Sequence, residues 1–301
     1  MRILIAIPHY YKASDANAEN RSQQASAREE RVRALVATVL NLQQNFGGGV
    51  FGLDHLNAVS WSAAPSMRHE LDIVICTAGD AHLLDTLPWM RSLYRHHTSD
   101  AEPRMLGFFC HRLLAEAQGK YDYYGFVEDD VVINDSLFFR KRRLFDRVHG
   151  PLALLQPNRY EFAGDGPVRK LYVDYRIRET LTAPYQDISI APTLTLPFLD
   201  ETVLFERTPY PSAGCFFLNS QQLTLWADGP AFHDGDTSYM SPLDSAATLS
   251  VMKSFRIYKS VLDQASFLEV LHASPRWIQA AAQQTRLVKR DQPFAPLRPQ
   301  R

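Results

Sequence analysis

YDYYGFVEDDVVI, Tyr121 to Ile133, sets three consecutive acids inside an apolar and aromatic run. Tyr123, Tyr124, Phe126, Val127, Val131 and Val132 are residue types that favour a buried strand, and Glu128, Asp129 and Asp130 fall where such a strand should carry no charge. Three adjacent carboxylates repel one another and lose hydration, so something must offset them. A strand end at the open rim of a sheet does so, because a hard cation can sit there between one or two carboxylates and the phosphate oxygens of a ligand. The alternative is a solvated acidic turn between two strands, but turns favour Gly, Asn or Pro over flanking valines.

Upstream, Arg2 to Pro8 (RILIAIP) and Leu71 to Thr77 (LDIVICT) are near-continuous aliphatic runs, the pattern of central parallel strands covered on both faces. Between them, Ser26 with Glu29 forms a capping box ahead of Val32, Leu35, Val36, Val39 and Leu40, an amphipathic helix. Phe46-Gly47-Gly48-Gly49-Val50 follows that helix instead of joining a strand to one, so it reads as a turn and not as a phosphate cradle. Met105, Leu106, Phe109, Leu113 and Ala117 mark a second helix, stopped at Gly119. Alternating strand, helix, strand, helix, strand predicts right-handed crossovers in a doubly wound, mainly parallel α/β sheet flanked by helices. Ligands of such sheets lie beyond the carboxyl ends of the strands, here Pro8-His9-Tyr10, Thr77 to Asp80 and Glu128 to Asp130.

Downstream, Asn134 or Asp135 can cap a helix whose Arg140, Lys141, Arg142 and Arg143 read as solvated cations. Residues 151–211 change character, with prolines, tyrosines and short β-branched runs that predict loops and antiparallel ribbons. Ser212-Ala213-Gly214 feeds the apolar strand Cys215 to Leu218, and Asn219 caps a short helix. Ser241-Pro242 opens another helix with Asp244 in its first turn. Strands are expected at Phe255 to Lys259 and at Phe267 to Leu271, the latter ending at His272. One domain over residues 1–287 is expected, with halves 1–135 and 136–287 and a flexible tail at 288–301.

With 32 basic against 33 acidic residues, the balance gives no global argument for nucleic acid or an anionic membrane as partner. No apolar run approaches the roughly 20 residues of a membrane span. Cys76, Cys110 and Cys215 are odd in number and set in apolar runs, which reads as buried free thiols in a cytoplasmic protein.

The ordered set resembles the GT-A glycosyltransferases: a buried strand closed by a DxD-type motif, written here as Glu128-Asp129-Asp130, then the small-residue turn at Ser212 to Phe217, an acid at a helix start (Asp244), and a histidine after the final strand (His272). Glu128 stands where many members have Asp, and Leu243 replaces the first acid of the usual pair. The resemblance covers roughly Arg2 to Trp277. It implies the GT-A-like fold, with an irregular, antiparallel acceptor-side insertion. It also implies a nucleotide-diphosphate sugar as donor, Mn²⁺ or Mg²⁺ as cofactor, and a glycan, lipid or small-molecule acceptor. On that basis Asp130, Glu128 and His272 are metal-ligand candidates, although a lone histidine after a strand is also an ordinary rim residue. Asp244 is the candidate general base or simply a helix N-terminal acid. His9, Tyr10 and Tyr11 form an aromatic clamp on the nucleotide base, beside Pro8 at the same strand end, or pack plainly; Asp80 meets base or ribose or caps a turn. Asp129 holds a sugar hydroxyl or a backbone amide, and Arg28 and Arg31 reach the diphosphate or lie on the helix surface. Rival readings are a nucleotidyltransferase, which would need a glycine-rich basic loop after the first strand, a metal phosphoesterase, which would need clustered histidines, and a non-catalytic nucleotide-sugar-binding relative.

Overall fold

A computed structural model describes residues 1–13, 27–63 and 69–284. The capping-box residue Ser26 and the tail at 288–301 lie outside the described residues.

The first half runs β1 (Arg2–Pro8), α1 (Arg28–Phe46), a hairpin of β2 (Phe51–Asp54) and β3 (Val59–Ser62), β4 (Glu70–Ala78), β5 (Arg95–Ser99), α2 (Leu106–Glu116) and β6 (Tyr123–Val127). β1 pairs in parallel with both β4 and β6, and β4 with β5. Alternation along β1 decides the layers: Ile3, Ile5 and Ile7 pack with Leu35, Val39 and Leu42 of α1, and Leu4 and Ala6 with Leu106, Cys110 and Leu114 of α2. Helices therefore cover both faces of this sheet, as the unbroken aliphatic run predicts. Cys76, Cys110 and Cys215 are buried and free.

The chain continues through β7 (Val131–Val132), α3 (Phe138–His149), β8 (Ala153–Leu155), β9 (Asn158–Phe162), β10 (Lys170–Tyr172), β11 (Thr193–Phe198), β12 (Glu201–Arg207) and β13 (Cys215–Asn219). Then come α4 (Ser220–Ala227), α5 (Pro242–Asp244), a π-helical stretch Ser245–Leu249, α6 (Ser250–Ser254), β14 (Arg256–Ser260), β15 (Glu269–His272) and α7 (Arg276–Gln284). β13 closes the main sheet antiparallel to β6, giving the order β13-β6-β1-β4-β5. Two further four-stranded sheets, β10-β9-β15-β7 and β11-β12-β14-β8, form the second half. The hairpins β9–β10 and β11–β12 are the expected antiparallel ribbons, whereas β8 and β9 pair in parallel with β14 and β15. Among the described residues no helix is long and apolar enough to cross a membrane.

β6 ends at Val127, directly before the acids, as the strand-end reading expects; the acids lie in a turn closed by Val131 N–H donating to Glu128 O at 3.1 Å, and β7 resumes the chain. This turn is buried, not solvated, which explains its flanking valines. One local expectation is corrected: the four cations of α3 are not all solvated. Arg142 is fully buried, donates to the carbonyls of Leu155 and Phe217, and lies 5.4 Å over the Phe217 ring.

Candidate active site

Hydrogen bonds to its main chain bolt the acidic turn to three elements. Glu128 N–H donates to Gly214 O (2.9 Å) before β13, Thr38 Oγ1 of α1 donates to Asp129 O (3.2 Å), and Ala273 N–H after β15 donates to Asp130 O (2.8 Å). The antiparallel register His272↔Val131 sets His272 beside the turn, and the parallel pairing of β15 with β9 brings up Arg159 and Glu161, two residues apart and so on one face of that strand. Glu128, Asp129 and Asp130 are 9%, 5% and 7% exposed, low enough that each needs a partner.

Asp129 Oδ2 takes His9 Nδ1 at 2.5 Å and Arg31 Nη2 at 2.6 Å. His9 Nε2 accepts from Leu83 N–H at 3.1 Å, so the proton sits on Nδ1 and is donated to the carboxylate. Asp130 Oδ2 lies 3.4 Å from His272 Nε2 and 3.8 Å from Arg31 Nη1, while its Oδ1 is buried with no partner. Behind His272, Nδ1 bonds Glu161 Oε1 at 2.7 Å, and the other oxygen of Glu161 accepts Ile278 N–H of α7 at 2.7 Å. Arg159 forks onto Asp174, with Nε and Nη2 at 2.9 to 3.3 Å.

The electrostatics follow from this crowding. Burial, then repulsion from Asp130 and Asp244, pushes the Glu128 carboxyl up to about 8. Burial also opposes charge on Asp130, but the attraction of His272, Arg31 and Arg159 wins and holds it well below the usual carboxylate range. His272, which burial alone would depress, is carried up to about 9 by Asp130 and Glu161. Asp244 is raised, chiefly by burial, although Ser241 Oγ donates to it at 2.5 Å.

A cavity of about 870 Å³ opens over the turn. Pro8, Tyr10, Glu128, Asp129, Asp130 and Asp244 line it, so residues distant in sequence meet around one space. His9 and His272 are buried behind the acids. Arg28 and Asp80 are exposed and are not among the lining residues; Arg31, one turn along α1 from Arg28, is the arginine that reaches the acids. Asp244 stands in the first turn of α5, where Ser241 Oγ accepts its N–H at 3.1 Å as the helix cap, and it also lines the cavity. Arg159, Glu161, Arg276 and Trp277 were missed. Arg159 and Glu161 left a signal, because paired charges in the strand pattern NRYEF need a buried partner.

Among the described residues, no group of three or more His, Cys, Asp or Glu side chains is arranged to hold a metal ion by itself. Magnesium-type sites need fewer, since one or two protein ligands are completed by substrate phosphates and water. The unpartnered Asp130 Oδ1 and His272, whose Nδ1 is oriented by a carboxylate as metal-bound imidazoles usually are, fit such a partial site.

No protein-family model and no curated protein matches the chain. Among solved structures it is similar to S. aureus TarS residues 1–349, at 12% identity and a TM-score of 0.44, over 93% of this chain and 63% of that one. It is similar to the same TarS fragment in complex with UDP, at 10% identity and 0.44, over 90% and 60%. It is also similar to mouse xyloside xylosyltransferase 1 in its apo form, at 9% identity and 0.37, over 86% of each chain. The chain thus spans less than two thirds of the TarS chains it matches.

Proposed function

We propose that this protein is a glycosyltransferase that moves a sugar from a nucleotide-diphosphate sugar to an acceptor hydroxyl. The observation that carries this reading is the buried acidic turn at the carboxyl end of β6, facing a cavity, with His272 held against Asp130 by Glu161. The ends of parallel strands are where such sheets receive nucleotides, so Pro8 at the end of β1 and Tyr10 just after it flank the nucleoside. Asp130 and His272 would hold Mn²⁺ or Mg²⁺, with Glu128 beside them. Such an ion, when bound, neutralises the charge that grows on the departing diphosphate. Arg31, fixed by Asp129 and Asp130, adds a positive charge on the same side. Asp244 accepts the proton of the acceptor hydroxyl, and its burial makes it a stronger base than an exposed aspartate. The three buried free thiols support a reducing, cytoplasmic setting.

Calorimetric titration of the purified protein with UDP, GDP and their sugar conjugates, with and without Mn²⁺, tests the reading. One nucleotide sugar should bind, more tightly with Mn²⁺, and the Mn²⁺-dependent gain should vanish in Asp130→Asn. An equal gain in that variant overturns the metal assignment, and no binding of any member overturns the function.

A further inference from the structure

The β2–β3 hairpin lies outside the three larger sheets and shows apolar side chains on both of its faces. Phe51 and Leu53, 60% and 62% exposed, point to one face, and Val59 and Trp61, 39% and 69% exposed, point to the other. A lone two-stranded hairpin is marginal in water, and it takes a third strand or a packed layer to make one stable. The edge of β2 is open as well. Ala63 N–H donates to Val50 O at 2.9 Å, so these two residues face each other as a hydrogen-bonded pair, and by alternation Phe51↔Ser62 and Leu53↔Ser60 do not. The N–H and C=O groups of Phe51 and Leu53 therefore point away from β3, where no strand of the described residues meets them. The devices that usually blunt such an edge are missing, since residues 47–63 contain no Lys, Arg or Pro. Their one acid, Asp54, is engaged in its own turn, accepting Leu56 N–H at 2.9 Å and Asn57 N–H at 3.1 Å.

This edge is complementary to itself. When two copies of β2 run antiparallel about a two-fold axis at Gly52, Phe51 falls opposite Leu53 of the second copy, and Leu53 opposite its Phe51. Both become hydrogen-bonded pairs that use the outward groups, and their side chains meet on one face. Gly52 then faces its own copy in the closer, non-hydrogen-bonded register, where it has no side chain to fit. Trp61 lies directly across β2 from Gly52, so the indoles of the two copies flank the glycine pair on the other face. A bilayer would leave the polar backbone of the edge unsatisfied, and the segment has no cation to hold anionic headgroups. We propose that β2 is a homodimerisation edge, through which two copies of the chain join their hairpins into one four-stranded sheet, β3-β2-β2-β3, centred on Gly52. The contact is small beside the ~800 Å² per partner of a standard interface, so the dimer forms at micromolar concentration. The cavity takes no part in it, and the inference stands apart from the glycosyltransferase reading.

Light scattering of the whole chain in reducing buffer, from ~1 to ~200 µM to bracket a micromolar dissociation constant, should show the mass rise from one chain to two. Leu53→Pro removes an outward N–H without touching the ladder to β3, and Phe51→Lys sets a cation in the paired edge. Each change acts twice across the two-fold axis, so each should raise the dissociation constant at least about tenfold. Gly52→Cys reads the register. A Cβ there meets nothing within 4 Å, and the native cysteines are buried. The non-hydrogen-bonded pair brings the two Cα atoms to about 4.5 Å, within disulfide reach, so mild air oxidation should link this variant into a dimer. Leu56→Cys, at the exposed hairpin tip, lies four residues from the axis and so more than ~20 Å from its copy, and should stay unlinked. A chain that is monomeric over the whole range, whether or not it floats with phosphatidylcholine vesicles, overturns the proposal. So does a dimer unchanged by both edge variants, a Gly52→Cys chain that does not cross-link, or Leu56→Cys cross-linking as readily as Gly52→Cys.

Discussion

Glu161→Gln is the perturbation that reaches the candidate site while touching nothing in the cavity. Glu161 is fully buried and its two oxygens serve two donors, His272 Nδ1 and Ile278 N–H, each at 2.7 Å. A carboxamide keeps one acceptor and turns an NH₂ toward the other donor, so one charge-assisted bond becomes neutral and one is lost. That costs about 2–4 kcal/mol, or roughly 3–6 °C in Tm for a chain of this size. The pH dependence separates the two bonds. His272 is held at about 9, above its unfolded value near 6.5, so its protonation stabilises the fold fully below about pH 6.5, and that stability is lost as pH rises through 9. Without the Glu161 charge this contribution shrinks. Thermal unfolding of wild type and variant from pH 6 to pH 9.5 should therefore show the widest gap at pH 6 and a narrower one at pH 9.5, where only the Ile278 bond distinguishes them. A gap constant across that range would refute the argument that Glu161 acts through a charged His272.

Other changes report on separate parts of the account. Asp244→Asn should lower kcat for transfer by about 10²- to 10⁴-fold with donor affinity unchanged, as expected for loss of a general base; a wild-type rate would remove Asp244 from the mechanism. Glu128 is raised to about 8, so the fold binds its proton more tightly than the unfolded chain does, and stability falls as pH rises from about 4.5 to 8. Glu128→Gln should therefore melt above wild type at pH 8, by about 2–4 °C or more, and a lower Tm there would contradict the crowding inferred at the turn. Arg142→Met strands the carbonyls of Leu155 and Phe217, and should lower stability by about 2–5 kcal/mol in urea with no change in m. A change within 0.5 kcal/mol, the scale of surface substitutions, would show that those bonds contribute nothing net.

The sequence disclosed the parts of the fold whose burial is local. Arg2 to Pro8 and Leu71 to Thr77 read as central strands because both their faces are covered; the first strand has those bounds and the second, Glu70–Ala78, contains its run. The Asn219 cap was legible for the same reason, since Gln222 completes its capping box three residues on. The end of β6 at the acids was legible too, with a solvated turn between two strands as the alternative; the burial of that turn was not, because a two-residue strand such as β7 has no period to detect. Its three acids marked the place where compensation was needed, but His9, Arg31, Arg159 and His272 arrive from four separate elements. Glu161 lies 111 residues from the histidine it orients, and only the parallel pairing of β9 with β15 makes them neighbours. Arg142 looked solvated because one-dimensional charge runs do not reveal that α3 turns one arginine onto the carbonyls of β8 and β13.

Release of nucleoside diphosphate from UDP and GDP sugars by the purified protein with Mn²⁺ tests the central claim most directly. The account predicts release from at least one donor, faster when a suitable acceptor is added, and its loss in Asp130→Asn. No release from any donor, with or without acceptors, or release undiminished in Asp130→Asn, would contradict it.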